Sequence, residues 1–146
     1  MKLLADKGEY LHFSPISING LCAIKLIPRD VNMKIKDIET FVVDAGWWPW
    51  IYVKVETDDG LIGYGECSEP RSPFGVVGTI NDLKPLLIGK DPRPYEMRFW
   101  DMLRGTRQRP GGIAAKAIAG IELALLDIKA KDLGISVVEM FGGPTR

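Results

Sequence analysis

Few residues in this sequence are of types that do chemistry, and their spacing suits few mechanisms. The one histidine is His12, so no Ser-His, Cys-His or His-metal constellation can form around a second imidazole. Cys22 and Cys67 are the two cysteines, too few for a zinc set or a disulfide framework. Asp58-Asp59-Gly60 reads as a turn, and no carboxylate cluster has metal-ligand spacing. Gly63-Tyr64-Gly65 lacks the third glycine of a phosphate cradle and lies in a strand pattern, where it reads as a close-packing feature. Arg104, Arg107 and Arg109 make a short basic run, with solvation the plain alternative to an anion site. Two connections stand out: "DAGWWPW", 44–50, places Trp47, Trp48 and Trp50 around Pro49, and "CSEPRSPFG", 67–75, carries Glu69, Arg71 and Phe74. These residues make no complete active site.

The elements that must position those connections follow from periodicity. Ile35 to Val43 is β-rich, and "WIYVKVET", 50–57, alternates with Ile51, Val53 and Val55 on one face. Asp59-Gly60 is a strong hairpin signal, because glycine accepts positive φ cheaply, and "LIGYGE" returns as a third strand. Val76 to Lys84 reads as a helix ending against Pro85. Asp91 is placed to cap a helix starting near Arg93, with Pro94 in its first turn and Phe99, Trp100 and Leu103 as its apolar side. Gly111-Gly112 precedes a long helix, Gly134 sits where a left-handed C-terminal residue belongs, and Ser136 and Glu139 have capping-box spacing for a short final turn. Three antiparallel strands followed by three helices is an α+β order, with the helices on one face of the sheet.

Composition fits one domain with an appendage. Of 146 residues, 46% are hydrophobic and 26% charged, enough to build a core. Basic and acidic residues balance at 19 each, so no net field draws nucleic acid or a membrane surface. Apolar runs fall short of the ~20 residues of a membrane span, and with two cysteines a reduced cytoplasmic setting is expected. Residues 1–32 show no sustained period beyond strand-like stretches at 14–18 and 21–27, whereas Met33 opens the regular passage "MKIKDIETFVV". They read as an N-terminal extension or a misassigned start, with a genuine extra hairpin as the alternative.

On a wheel at 100° per residue, the long helix shows two apolar stripes. Ala117, Ile118, Ile121, Ala124, Leu125 and Ile128 form one; Leu123, Leu126, Ala130 and Leu133 form the other, nearly opposite. The first belongs to the domain's core. Leaving the leucines of the second in water would forgo roughly 1.5–3 kcal/mol each, so a covering partner is expected, in another subunit or in more of the same chain. "FGGPTR" has nothing terminal about it and favours the latter.

At "AIAGIELALLDIKAKDLGISVVEMFGG" the chain resembles the signature closing the N-terminal domain of the mandelate racemase and muconate lactonizing enzyme group, in the enolase superfamily. "MKIKDIETFVV", "VKVETDDGLIGYGE", "PLLIGKDP" and "RGT" before the paired glycines agree in order, so the resemblance covers 33–146. Met140, where such proteins more often carry Leu, is a volume-conserving departure. The resemblance implies a three-strand, three-helix cap packed on a (β/α) barrel that would cover the second stripe. It places the catalytic lysine or lysine–histidine bases, and the three carboxylates holding Mg²⁺, in that C-terminal barrel. The barrel lies beyond this chain, which is then expected to bind no metal and to be inactive alone.

The resemblance also implies that the connections 44–50 and 67–75 reach over the barrel mouth and shape specificity. Trp47, Trp48 and Trp50 would wall off solvent above a bound acid, their alternative being plugs in the core. Arg71 would pair with a substrate carboxylate through its fork of donors, its alternative being a solvated loop charge; Glu69 and Phe74 stand likewise between a role at the substrate and an ordinary place in the loop. A sugar-acid dehydratase that removes the proton α to a carboxylate is favoured over a cycloisomerase, with a racemase as a further alternative, in a homo-oligomer without nucleic acid or membrane. The contrasting class is a free-standing oligomerisation or interaction module, or a gene remnant. If the second stripe awaits a barrel, Leu126→Glu with Leu133→Lys is expected to leave this chain folded.

Overall fold

A computed structural model of the chain describes residues 15–18, 21–24, 32–106 and 111–144. The chain divides into two compact units, 1–32 and 33–146. In the first, β1 (Pro15–Ile18) and β2 (Leu21–Ile24) pair antiparallel, with Ile18 opposite Leu21.

In the second unit, β3 (Ile35–Asp44), β4 (Pro49–Thr57) and β5 (Ile62–Glu66) form an antiparallel meander in the order β3-β4-β5. Alternation along β4 buries Ile51, Val53, Val55 and Thr57, and register aligns Ile38 with Val55 and Gly63 with Val55 from the other side. The Asp58-Asp59-Gly60 turn forms as expected: Gly60 has φ 89°, and the Thr57 hydroxyl donates to the Leu61 carbonyl at 2.9 Å. On the buried face lie α1 (Pro73–Leu83), a 3₁₀ turn at Lys84–Leu86, α2 (Tyr95–Gly105) and α3 (Gly112–Leu133), followed by the single turn α4 (Val137–Met140). The α+β order read from the sequence is the observed one.

The contact between α3 and β5 sets the spacing of the layers. A Cβ on Gly63 would stand 2.1 Å from the Ala124 carbonyl oxygen, and one on Gly65 2.0 Å from that of Gly120. The Gly-x-Gly pattern therefore lets helix backbone touch strand backbone. At this distance α3 also satisfies the outer edge of β5. The Tyr64 N–H donates to Asp127 Oδ2 at 2.9 Å, and Lys131 Nζ donates to the Ile62 carbonyl at 2.7 Å. A covered edge is one that cannot pair with another chain. The first stripe of α3, from Ala117 to Ile128, is fully or almost fully buried with Val76, Ile80 and Met102.

Gly134 closes α3 in the left-handed region at φ 69°. Ser136 and Glu139 exchange both bonds of the capping box that starts α4.

Three expectations need correction. Asp91 does not cap α2: the helix starts at Tyr95 after a non-helical Pro94 and has no side-chain cap. The Asp91 carboxylate instead accepts from the Arg93 N–H and guanidinium. On α2 the fully buried side chain is Met102, Phe99 and Leu103 pack partly, and Trp100 is 52% exposed. The third concerns the second stripe of α3. Leu126 is 7% and Ala130 2% exposed, Leu133 is half-buried, and only Leu123, at 47%, is open. The chain covers much of this side itself, because Gly134 turns α4 back so that Val137 flanks Leu126, while Tyr64 flanks it from the edge strand.

Leu126→Glu is therefore expected to destabilise the chain by about 2–4 kcal/mol, since it puts a charge where an apolar side chain is almost fully buried. Leu123→Glu should stay within about 0.5 kcal/mol of the native chain. Denaturant melts of both variants check this; equal effects would mean that α4 does not seal the stripe.

Cys67, directly after β5, is buried and free, against the place where a Gly120 side chain would go. Burial, aided by Glu66, pushes its thiol up to about 11 from an ordinary 9.0. The folded state keeps this proton where the unfolded chain loses it. Its contribution is full below pH 9.0 and is lost as pH rises towards 11. Between about pH 8 and about pH 10.5, Cys67→Ala should accordingly lose less stability than the native chain. Parallel losses in denaturant titrations would refute it.

Candidate functional site

Because β4 runs antiparallel to both neighbours, the β3–β4 hairpin and the exit of β5 lie at the same end of the sheet: Asp44 pairs with Pro49, and Tyr52 with Glu66. The hairpin, 44–50, is closed by local bonds. Asp44 Oδ1 accepts from the Gly46 N–H at 2.9 Å, and the Ala45 N–H donates to the Trp48 carbonyl at 3.3 Å. Gly46, at φ 89°, makes the reversal.

The indoles of Trp47 and Trp48 stack with centroids 4.2 Å apart and planes 14° from parallel. Trp47 is 77% exposed. Trp50 lies on the sheet's outer face, 43% exposed, edge-on to Tyr52 at 6.1 Å. None of the three tryptophans plugs the core between sheet and helices. Burial is the usual fate of this side chain, so an open stacked pair is a surface feature that calls for a role.

The second connection, 67–75, is tied to the first at its root. The Cys67 N–H donates to the Ile51 carbonyl at 3.0 Å, and the Ile51 N–H donates to Ser68 Oγ at 3.2 Å. The Ser68 hydroxyl in turn donates to Glu66 Oε1 at 2.5 Å. Beyond the root, Lys116 of α3 forms an ion pair with Glu69 and points at the Ser68 carbonyl from 3.5 Å. The other Glu69 oxygen accepts from the Arg71 N–H at 3.1 Å. The hydrogen bond from Lys116, backed by that of the Arg71 amide, holds the Glu69 carboxyl below the usual carboxylate range. The Arg71 side chain is exposed and in no ion pair among the described residues, and Phe74, in the first turn of α1, is 76% exposed.

The structure thus brings Trp47, Trp48, Glu69, Arg71 and Phe74 onto two linked connections at one end of the domain, with Trp50 at the base of the first. Sequence reasoning missed Ser68 and Lys116. Lys116 sits 47 residues from Glu69, beyond any local pattern. Arg104 ends α2 as an exposed residue, while Arg107, Arg109 and His12 lie outside the described residues.

Among the described residues no group of three or more His, Cys, Asp or Glu is placed to hold a metal ion, so these residues do not fit a Mg²⁺ site. None of their helices is long and apolar enough to cross a membrane. Away from the two connections, Tyr52, Tyr64, Leu123, Leu126, Asp127 and Val137 line an open, mainly apolar groove of about 390 Å³ beside the β5 edge.

Residues 23–142 match the model of the mandelate racemase / muconate lactonizing enzyme N-terminal domain. Similar curated proteins include a D-galactonate dehydratase of Verminephrobacter eiseniae, 38% identical over 78% of this chain and 29% of its own length. That of Variovorax paradoxus is 39% identical over the same shares. Among solved structures, an enolase from Pantoea ananatis with bound D-gluconate and Mg superposes with a TM-score of 0.75 at 34% identity, over 79% of this chain and 28% of that one. A member of the enolase superfamily from Salmonella Typhimurium gives 0.72 at 34% identity, over 78% and 30%. The chain thus spans about three-tenths of the length of the relatives it matches. With the meander, the helix order and the family model in agreement, this chain belongs to the mandelate racemase / muconate lactonizing enzyme family of the enolase superfamily and has the fold of its N-terminal domain.

Proposed function

We propose that residues 33–146 cap the barrel of a sugar-acid dehydratase, and that the connections 44–50 and 67–75 set which acid it accepts. The observation that carries this reading is the open Trp47–Trp48 stack held beside the Arg71 loop by the bonds between Ile51, Cys67 and Ser68. In it, Trp47, Trp48 and Phe74 exclude water from the reacting centre, Trp50 anchors the hairpin on the sheet, and Arg71 meets the substrate carboxylate. A forked guanidinium suits a planar carboxylate better than a point charge does. Glu69, engaged by Lys116 and the Arg71 amide, orders the loop rather than touching substrate. The reaction class is removal of the proton α to a carboxylate with loss of the neighbouring hydroxyl as water.

In this reading the base and the Mg²⁺ ligands belong to the barrel. The remaining apolar groove around Leu123 and Val137 suits a seam with that barrel. We read residues 1–32 as an N-terminal extension that precedes the cap in the sequence. Homo-oligomeric association draws support from the exposed Phe41, Val43 and Tyr64, and a cytoplasmic setting from the free Cys67.

Grafting this cap onto the barrel of the Verminephrobacter eiseniae enzyme tests the reading. The chimera should dehydrate acid sugars in a Mg²⁺-dependent way, and the isolated chain should not. Arg71→Gln in the chimera should raise KM about ten-fold or more, a charged hydrogen bond being worth about 1.5–3 kcal/mol. A folded, metal-loaded chimera that is inert to a panel of acid sugars, or one whose KM ignores Arg71, overturns it.

A further inference from the structure

The 67–75 connection is held at both ends and once in its middle. At its root Cys67 abuts Gly120 of α3, where a Cβ would stand 2.8 Å from the sulfur. At its far end Ser72 and Pro73 open α1. Between these fixed points lie Ser68 to Arg71; Glu66, at the end of β5, accepts from the Ser68 hydroxyl at the root, and beyond it the one side chain from another element that reaches them by ion pair or hydrogen bond among the described residues is Lys116. Its ammonium engages Glu69 Oε2, and Glu69 Oε1 accepts the Arg71 N–H. The Glu69 carboxylate therefore bridges a rigid helix to the backbone of Arg71. The helix is rigid at that level because Ala117 and Ile118 are buried beside Lys116 and Gly120 is closed against Val53 and Cys67.

We propose that Lys116 is the positioning residue of this connection, a latch that acts through Glu69 to fix where Arg71 leaves the surface. Its consequence for substrate selection rests on the cap-loop reading above; the latch itself does not. Both partners retain solvent contact, with 42% of the Lys116 side chain and 18% of that of Glu69 exposed. Pairs of this kind shift a local opening equilibrium modestly, without deciding whether the domain folds.

The test uses the chain alone. Arginine-specific proteolysis reads scission of the Arg71–Ser72 bond by mass spectrometry, and hydrogen exchange reads the Arg71 amide beside those of β4. In Lys116→Met, both loop readouts should accelerate by about 1.5- to 5-fold, the range that corresponds to a partly exposed ion pair, while β4 exchange stays unchanged. Lys116→Arg keeps the charge and the reach, and should return both to native rates. Unchanged loop rates in Lys116→Met, failure of Lys116→Arg to restore them, or equal acceleration in β4 each overturn the latch. Neither readout needs a barrel or a substrate. Failure here would leave the cap-loop reading standing, and failure of the chimera would leave the latch standing.

Discussion

The approach of α3 to β5 is the constraint on which the other placements depend. Two strand residues advance about 6.7 Å and four helical residues about 6 Å, so a Gly-x-Gly strand can match small residues four apart on an antiparallel helix. Gly63 lies on Ala124 and Gly65 on Gly120. Neither glycine is there for a special turn; each removes a side chain that would otherwise hold the layers apart. With the backbones in contact, Asp127 and Lys131 reach the polar groups of the strand edge, and α3 cannot slide without breaking both sets of contacts.

The same helix, followed towards its start, accounts for the position of the second connection. Two residues past Gly65 is Cys67, which abuts Gly120; four residues before Gly120 is Lys116, which meets Ser68 and Glu69. The residues that hold the loop lie directly beside those that pack the core. The first connection joins this frame through β4, since Ile51 bonds to both Cys67 and Ser68 while the tryptophans stand immediately before it. Packing at the centre of the domain thus determines where exposed aromatic and charged groups emerge at its end.

Much of the frame was legible in the sequence because it is written in local terms. Alternation in 50–57, the Asp-Gly turn, the left-handed Gly134 and the Ser136–Glu139 box each have a signal within a few residues, and each appears as expected. What failed depended on neighbours that no local window contains. Asp91 satisfies Arg93 instead of a helix end because Pro94 postpones the helix. Trp100 gives its place in the core to Met102, which lies about 200° further round the helix, a choice that packing against α3 decides. The six candidate residues were legible as two unusual connections, and the two residues that tie and order them, Ser68 and Lys116, were not. The place of Lys116 one turn before Gly120 was the available clue, and it becomes readable only once strand and helix are known to be antiparallel and in contact.

The second stripe of α3 shows how a correct pattern can suggest too large a conclusion. A helical wheel counts apolar faces and is blind to a chain that folds back over one of them. The capping box at Ser136 is what folds it back, by starting a helix directly after the left-handed turn, and Val137 then flanks Leu126. Four apolar residues in search of a cover become one, Leu123, together with Val138 and Phe141, which α4 and the turn after it expose in their turn, at 54% and 69%. The apolar surface that invites a partner has therefore moved by one element, from the middle of α3 towards the residues that follow it. A barrel seated there would meet a mixed surface of half-covered helix and short turn, with the polar pair Asp127–Lys131 already committed to the β5 edge. Shape around Leu123, Val138 and Phe141, more than a long greasy stripe, would then decide how such a cap seats.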